Sequence, residues 1–232
     1  MTTISANLQA VKSRIQAAAR SAGRDAGAAR LLAVSKSWPA ASVRAAFTAG
    51  QRAFGENYVQ EGVAKIHALD DLDLEWHFIG PLQSNKTREV AEHFDWVHSL
   101  DRVKIAERLS AQRPAGAPPL QVCLQVNVSG EDSKGGGAPA ETAALARAVE
   151  RLPRLRLRGL MAIPEASDDV ELLRRRFALL RELLAQLNRD GLQLDVLSMG
   201  MSDDFEIAIA EGATIVRLGT AIFGPRPTKG LA

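Results

Sequence analysis

The 232-residue chain has one cysteine, one tyrosine and four histidines. It has no apolar run approaching the ~18 residues that begin to span a bilayer. One cysteine excludes an intramolecular disulfide and a thiolate metal cluster. Cys123, within Val122-Cys123-Leu124, reads as a buried small hydrophobe. Neither sign of charge is in excess: 29 Lys and Arg face 27 Asp and Glu, for a net +2. They are scattered rather than blocked, so neither a nucleic acid nor a membrane surface is expected as partner. The N-terminus lacks a basic segment followed by an apolar one, so no secretory leader is expected and the cytoplasm is the expected location. His67, His77, His93 and His98 show no metal-ligand spacing. Gly-x-Ser-x-Gly and Walker-type phosphate loops are missing as well. No Pro-rich or Gly/Ser linker divides the chain, so residues 1–232 are expected to form a single domain. At 46% hydrophobic residues its core needs no disulfide or metal staple.

What is present is an alternation of short apolar runs with helical patterns. Ile4, Leu8, Val11, Ile15 and Ala18 step by four and three, one face of a helix, and Gly23 is its expected stop. Eight candidate strands follow, at 31–34, 52–54, 74–79, 95–98, 120–126, 157–163, 194–197 and 214–218. The clearest helix begins after Ser167, with Val170, Leu173, Phe177, Leu180, Leu184 and Leu187 on one stripe. Asp168 with Glu171 predicts its N-terminal cap and Gly191 its end. Strands alternating with helices imply parallel pairing through right-handed crossovers. Eight such units predict an α/β fold, a (β/α)8 TIM barrel with an extra N-terminal helix; a doubly wound open sheet is the alternative. The longest irregular segment, Ser129–Pro139, carries Gly135-Gly136-Gly137 and is expected to be mobile.

In such a barrel, function collects where strands end at the C-terminal face. Those positions here hold Lys36, Glu56, Asn57, His77, Ser99, Asp101, Asn127, Met161, Ser198–Ser202, Arg217, Gly219 and Thr220. Lys36 closes the run Leu31-Leu32-Ala33-Val34-Ser35, an amine at the end of a buried strand. That suits a Schiff base, a phosphate contact or a general base, or a lysine that simply reaches solvent. Ser202 and Thr220 follow glycines at two consecutive strand-to-helix turns. Helix N-termini there make an anion cradle, the place where barrels often hold phosphate; ordinary capping by the two hydroxyls is the plainer reading. His77 reads as a packed or pocket-lining histidine rather than a lone base.

A resemblance covers nearly the whole chain in order. It rests on Leu32-Ala33-Val34-Ser35-Lys36, Phe54-Gly55-Glu56-Asn57-Tyr58, Trp76-His77-Phe78-Ile79-Gly80 with Leu82-Gln83-Ser84-Asn85-Lys86, and Val97-His98-Ser99-Leu100-Asp101. Gln125-Val126-Asn127, Glu131 with Lys134 and Gly136, Gly159-Leu160-Met161, Leu197-Ser198-Met199-Gly200-Met201-Ser202 and Val216-Arg217 with Gly219 continue it. With these segments the chain resembles the pyridoxal 5′-phosphate (PLP) homeostasis proteins, the YggS/PROSC family, similar to the N-terminal barrel of alanine racemase (a fold type III PLP-binding barrel). The resemblance implies that Lys36 attaches PLP covalently as an internal aldimine. It also implies that Met201, Ser202, Gly219 and Thr220 hold the phosphate, that Arg217 faces the pyridine nitrogen, and that Asn57 and His77 line the pocket. Ser37-Trp38 departs from a polar pair such as Thr-Lys, so no second basic contact is expected at the mouth.

The implied function is non-catalytic: reversible binding of PLP that maintains the intracellular supply, with PLP-dependent apoenzymes as recipients and a monomer as the working form. A neutral Lys36 amine is favoured by partial burial and a nearby cation. Arginine at the ring nitrogen makes the cofactor a weaker electron sink than a carboxylate would. Racemases of the resembled class carry a second, β-rich domain and take a tyrosine base from a partner subunit. The only tyrosine here is Tyr58, and two-base racemization needs a proton donor on each ring face. Lys134 is expected to act in PLP exchange, a solvated loop lysine being the plainer alternative. The alternatives are a weak amino-acid racemase or other PLP enzyme, and a barrel binding another phosphorylated metabolite.

Overall fold

The computed structural model describes residues 3–130 and 135–225. Eight parallel strands close into one barrel in chain order: β1 (Arg30–Val34), β2 (Ala53–Glu56), β3 (Glu75–Phe78), β4 (Trp96–Leu100), β5 (Leu120–Gln125), β6 (Leu155–Met161), β7 (Val196–Ser198) and β8 (Ile215–Leu218). The barrel closes where Arg30–Ala33 of β1 pair with Ile215–Leu218 of β8. The helices are α1 (Ile4–Ser21), α2 (Ala40–Thr48), α3 (Val59–Ala68), α4 (Thr87–His93), α5 (Val103–Gln112), α6 (Thr142–Glu150), α7 (Val170–Arg189), α8 (Phe205–Ala210) and α9 (Thr220–Phe223). All eight expected strands are present, and so is the extra N-terminal helix. The open-sheet alternative is excluded by closure.

Alternation along the strands sorts the core into two bodies. Leu32, Val34, Ile79, Trp96, Cys123, Met161, Val196 and Ile215 fill the barrel, whereas Leu31, Ala33, Phe54, Phe78 and Val97 pack outward under the helices. Cys123 is buried inside, where burial pushes its thiol up to about 12, an inert small hydrophobe as expected. The helix α1 buries Leu8, Val11, Ile15 and Ala19 and lies against α8 and α9, covering the seam between the last unit and the first. Gly23 follows it at φ 69°.

The strands shift by one or two residues at several ends, and the expected cap of α7 also moves. The cap of α7 is Asp169, whose Oδ1 accepts from Leu172 N at 3.0 Å. Asp168 lies one residue too early to reach the first orphan amides. The helix ends at Arg189, with Gly191 beyond it at φ 98°.

Candidate functional site

Lys36 continues the inward alternation of Leu32 and Val34 past the end of β1. It opens into a cleft at the C-terminal mouth of the barrel, lined also by Asn57, Met201, Ser202, Arg217, Gly219 and Thr220. Seven of the eight residues expected to bind are therefore brought together from β1, β2, β7 and β8. The walls between them are apolar: Val34, Trp38, Ile79 and Ile163.

Both neighbours of Lys36 are held by a buried ion-pair network. Lys65 on α3 donates to Glu56 Oε1, Glu61 Oε1 and the Ser35 carbonyl, each at 2.7 Å. Ser35 Oγ donates to Glu56 Oε1, and Ser37 N donates to Glu61 Oε1, both at 2.6 Å. Ser37 has φ 67°, a left-handed conformation that costs a non-glycine residue about 1–2 kcal/mol. The Glu61 bond helps to hold it there. Burial pushes the Glu56 carboxyl above the usual carboxylate range, and the adjacent Lys65 ammonium pulls it back in part. Glu56, expected among the site residues, is thus a support beneath Lys36 rather than part of the cleft.

Asn57 follows β2, and Gly80 lets the chain after β3 lie against it: a Cβ on Gly80 would sit 2.1 Å from the Asn57 carbonyl oxygen. The Asn57 Oδ1 is buried without a hydrogen-bond donor among the described residues. A buried acceptor of that kind is uncommon and marks a place for a ligand donor.

After β7 the chain turns at Gly200, φ 95°, where a Cβ would meet the Ala208 side chain at 2.7 Å. The turn delivers Met201 and Ser202 to the mouth. Met201, expected to hold phosphate, lines the cleft, and its amide donates to Asp204 Oδ1 at 2.6 Å. Ser202 keeps its place at the cleft. Gly219 precedes α9 and lies close under β1, 3.0 Å from Cβ position to the Val34 carbonyl. Thr220 opens the helix, whose first amides have no intrahelical acceptor.

Arg217 is 4% exposed. It donates from Nη1 to the Ser198 carbonyl (2.6 Å) and Ser198 Oγ (2.9 Å), and from Nη2 to the Ala162 carbonyl (2.9 Å). Burial pushes it down to about 10, which leaves it a cation at neutral pH. A guanidinium has five N–H groups, so two remain for the cleft that it lines.

His77 is the exception. It shares inward parity with Glu75, but its ring lies deeper in the barrel, stacked on Trp96 with centroids 5.2 Å apart. It is hydrogen-bonded to Glu75 Oε1 at 2.6 Å and His98 Nε2 at 2.8 Å, and it does not line the cleft. The expectation of a pocket residue is corrected to that of a packed interior histidine. His98, read as scattered from it in sequence, is its direct partner. Lys134 lies outside the described residues, as do Glu131 and the centre of the Ser129–Pro139 segment. The segment's described flanks are tied down by Asn127 N to the Gly137 carbonyl and Gly137 N to the Gln125 carbonyl, both 2.9 Å. Sequence reasoning missed Trp38 as a cleft wall, although it lies two residues from Lys36. It stacks on Phe223 at 5.8 Å.

The alanine racemase N-terminal domain matches residues 6–227. The pyridoxal phosphate homeostasis protein of Pseudomonas aeruginosa is 64% identical over 226 residues, covering 97% of each chain. That of Escherichia coli K12 is 55% identical over 232 residues, covering 97% of this chain and 98% of the relative. PipY of Synechococcus elongatus, solved with PLP bound, superposes with a TM-score of 0.85 at 40% identity, covering 96% of this chain and all of PipY. Alanine racemase of Corynebacterium glutamicum, 19% identical with a TM-score of 0.70 and matched over 64% of its length, shares the fold alone.

Proposed function

The chain belongs to the pyridoxal phosphate homeostasis protein family, and from that premise we propose that it binds PLP in the mouth cleft and maintains its supply rather than catalysing a reaction on it. The observation that carries this reading is that Lys36, the Ser202 and Thr220 turns, and the Arg217 cation open into one cleft. When bound, PLP supplies an aldehyde that condenses with a primary amine, and a phosphate dianion. The residues fit both. Lys36 is the covalent anchor. Met201, Ser202, Gly219 and Thr220 hold the phosphate, with hydroxyls and helix-terminal amides among the donors. Asn57 Oδ1 accepts from the ligand, and Arg217 donates at the ring nitrogen. An arginine can only donate, so it gives that nitrogen no proton to hold and leaves the ring a poor electron sink.

The same cleft argues against turnover. Besides Lys36, its described lining has no group suited to acid–base work at neutral pH, and Tyr58 is 60% exposed and outside it. A reaction that exchanges protons on two faces needs two such groups. Relatives at 55–64% identity carry the name of homeostasis proteins. Delivery to PLP-dependent apoenzymes, a monomeric and cytoplasmic working form, and exchange through Lys134 complete the proposal. No helix among the described residues is long and apolar enough to cross a membrane.

Purified protein mixed with PLP should absorb near ~420 nm, and borohydride should fix a mass adduct on Lys36. Lys36→Ala should lose both. A visible band that survives Lys36→Ala sinks the assignment. Incubation with single L-amino acids tests the other half: enantiomer interconversion well above that of free PLP would make the protein an enzyme.

A further inference from the structure

A continuous hydrogen-bonded chain runs through the barrel interior from the cleft toward the opposite end. Arg217 Nη1 donates to Ser198 Oγ (2.9 Å); Ser198 Oγ contacts His98 Nδ1 (2.7 Å); His98 Nε2 contacts His77 Nδ1 (2.8 Å); His77 Nε2 contacts Glu75 Oε1 (2.6 Å). Its members come from β8, β7, β4 and β3. Glu75 is the first residue of β3 and Arg30 the first of β1, 3.5 Å apart, so the far end lies at the N-terminal rim. The Glu75 side chain is 36% exposed there. Ser198, His98 and His77 are buried.

The donor and acceptor roles along this chain follow from its ends. A guanidinium only donates and a carboxylate only accepts. The Glu75 carboxylate accepts from His77 Nε2–H, so a neutral His77 accepts at Nδ1 from His98 Nε2–H. His98 Nδ1 then accepts the Ser198 hydroxyl hydrogen, while Arg217 donates to the Ser198 oxygen. Both rings therefore carry their proton on Nε2. Every link then points the same way, from cation to anion, with both imidazoles neutral. Reversing it with neutral rings would leave His77 Nε2 an acceptor facing the Glu75 carboxylate, which has no proton to give. Burial disfavours the charged form of both rings. Other charges stand at both ends. At the rim are Arg30 and Arg158 over Trp96 (5.7 and 5.0 Å to the ring), Asp195 paired with Arg158, and Asp95 bonded to Trp76 N. At the cleft end the buried Asp204 carboxyl interacts with Arg217.

We propose that Glu75, His77, His98 and Ser198 form a polarised positioning relay that fixes the orientation of Arg217 and transmits the Glu75 charge to the cofactor cleft from the far end of the barrel. The cofactor half rests on PLP binding in that cleft; the ordering of protons does not. Interaction along the buried middle of the chain, at His98 and Ser198, is weakly screened because Trp96, Cys123, Val196 and Ile215 form the apolar interior there.

Two measurements test it. In the unliganded full chain, ¹⁵N-resolved NMR of the imidazoles at pH 7.5 should show His77 and His98 neutral, each protonated on Nε2. An Nδ1–H tautomer or an imidazolium at either site overturns the relay whether or not PLP binds. In the PLP-loaded chain, Glu75→Gln keeps an acceptor for His77 and removes a charge outside the cleft. It should move the pH midpoint of the visible band downward, because losing a remote anion disfavours the protonated bound form. Ser198→Ala removes a link and should weaken PLP binding about fivefold, the scale of one hydrogen bond. Wild-type loading with unmoved midpoint and affinity in both variants overturns the inference while leaving PLP binding intact. Wild-type protein that fails to load overturns the proposed function itself, and the tautomer result then judges the proton order alone.

Discussion

Asn57 Oδ1 is an acceptor that the unliganded fold leaves without a donor among the described residues, and this separates binding from stability at one side chain. Truncating a residue that makes no internal hydrogen bond through that atom removes no protein–protein bond. Asn57→Ala should therefore raise the PLP dissociation constant about 5–10-fold while shifting urea unfolding by less than ~1 kcal/mol. Equilibrium titration and denaturation of the same preparation check it. Equal affinity, or a large loss of stability, would show that Asn57 holds the fold instead. Lys36, Ser202, Arg217 and Thr220 were legible because polar residues at the ends of apolar runs stand out against their surroundings. His77 was misplaced for a physical reason. Alternation tells which way a strand residue points, so Glu75 and His77 are both legible as inward. Depth along the barrel axis depends on strand tilt and register with β4, and neither is written in the segment itself.

Helices and strands were recovered as elements more securely than as boundaries. Strand β2 runs to Glu56 and β4 to Leu100, beyond the apolar runs, because Glu56 Oε1 and Ser99 Oγ are bonded internally to Lys65 and the Gly80 carbonyl. A polar residue ends a run in sequence but need not end a strand. The α7 cap makes the point energetically. Asp169→Ala should cost about 1 kcal/mol and Asp168→Ala a few tenths at most, since only Asp169 accepts from the helix; thermal or urea denaturation of the two variants ranks them. The α3 contribution is larger. Lys65→Met would strand the Glu56 carboxylate in a buried site, a change that costs about 3–5 kcal/mol. Adding Glu56→Gln to Lys65→Met should recover part of that loss. The ~420 nm band of the PLP-loaded double variant then reports whether the backbone on either side of Lys36 still presents its amine. Stability recovered without the band would locate the role of the network in orienting Lys36.

At the scale of the whole molecule, the barrel has a polar thread through an apolar interior, and that thread should give its stability a characteristic pH dependence. Burial holds His98 well below the ordinary imidazole value; it also lowers His77, partly offset by the bond to Glu75. In the unfolded chain both titrate near ~6.5. Above that pH neither state binds the protons. Below it the unfolded chain takes them up and the folded chain does not, so unfolding becomes easier as pH falls. The loss runs at up to about 1.4 kcal/mol per pH unit for each ring, until the pH reaches the folded value. Glu75 and Asp195, held low by His77 and Arg158, lose their stabilising share only near the ordinary carboxylate range and below. Glu56, Asp95 and Asp204, raised by burial, act in the opposite sense above that range. A comparison of wild type with His98→Asn therefore isolates the imidazole. Between pH 7.5 and 5.5 the wild-type unfolding free energy should fall by about 1 kcal/mol more than that of the variant, measured by urea titration at each pH. Parallel curves for the two proteins would mean that His98 is already protonated in the fold or is free to become so. Either result would break the one-way order from Arg217 to Glu75, because that order requires His98 Nδ1 to accept.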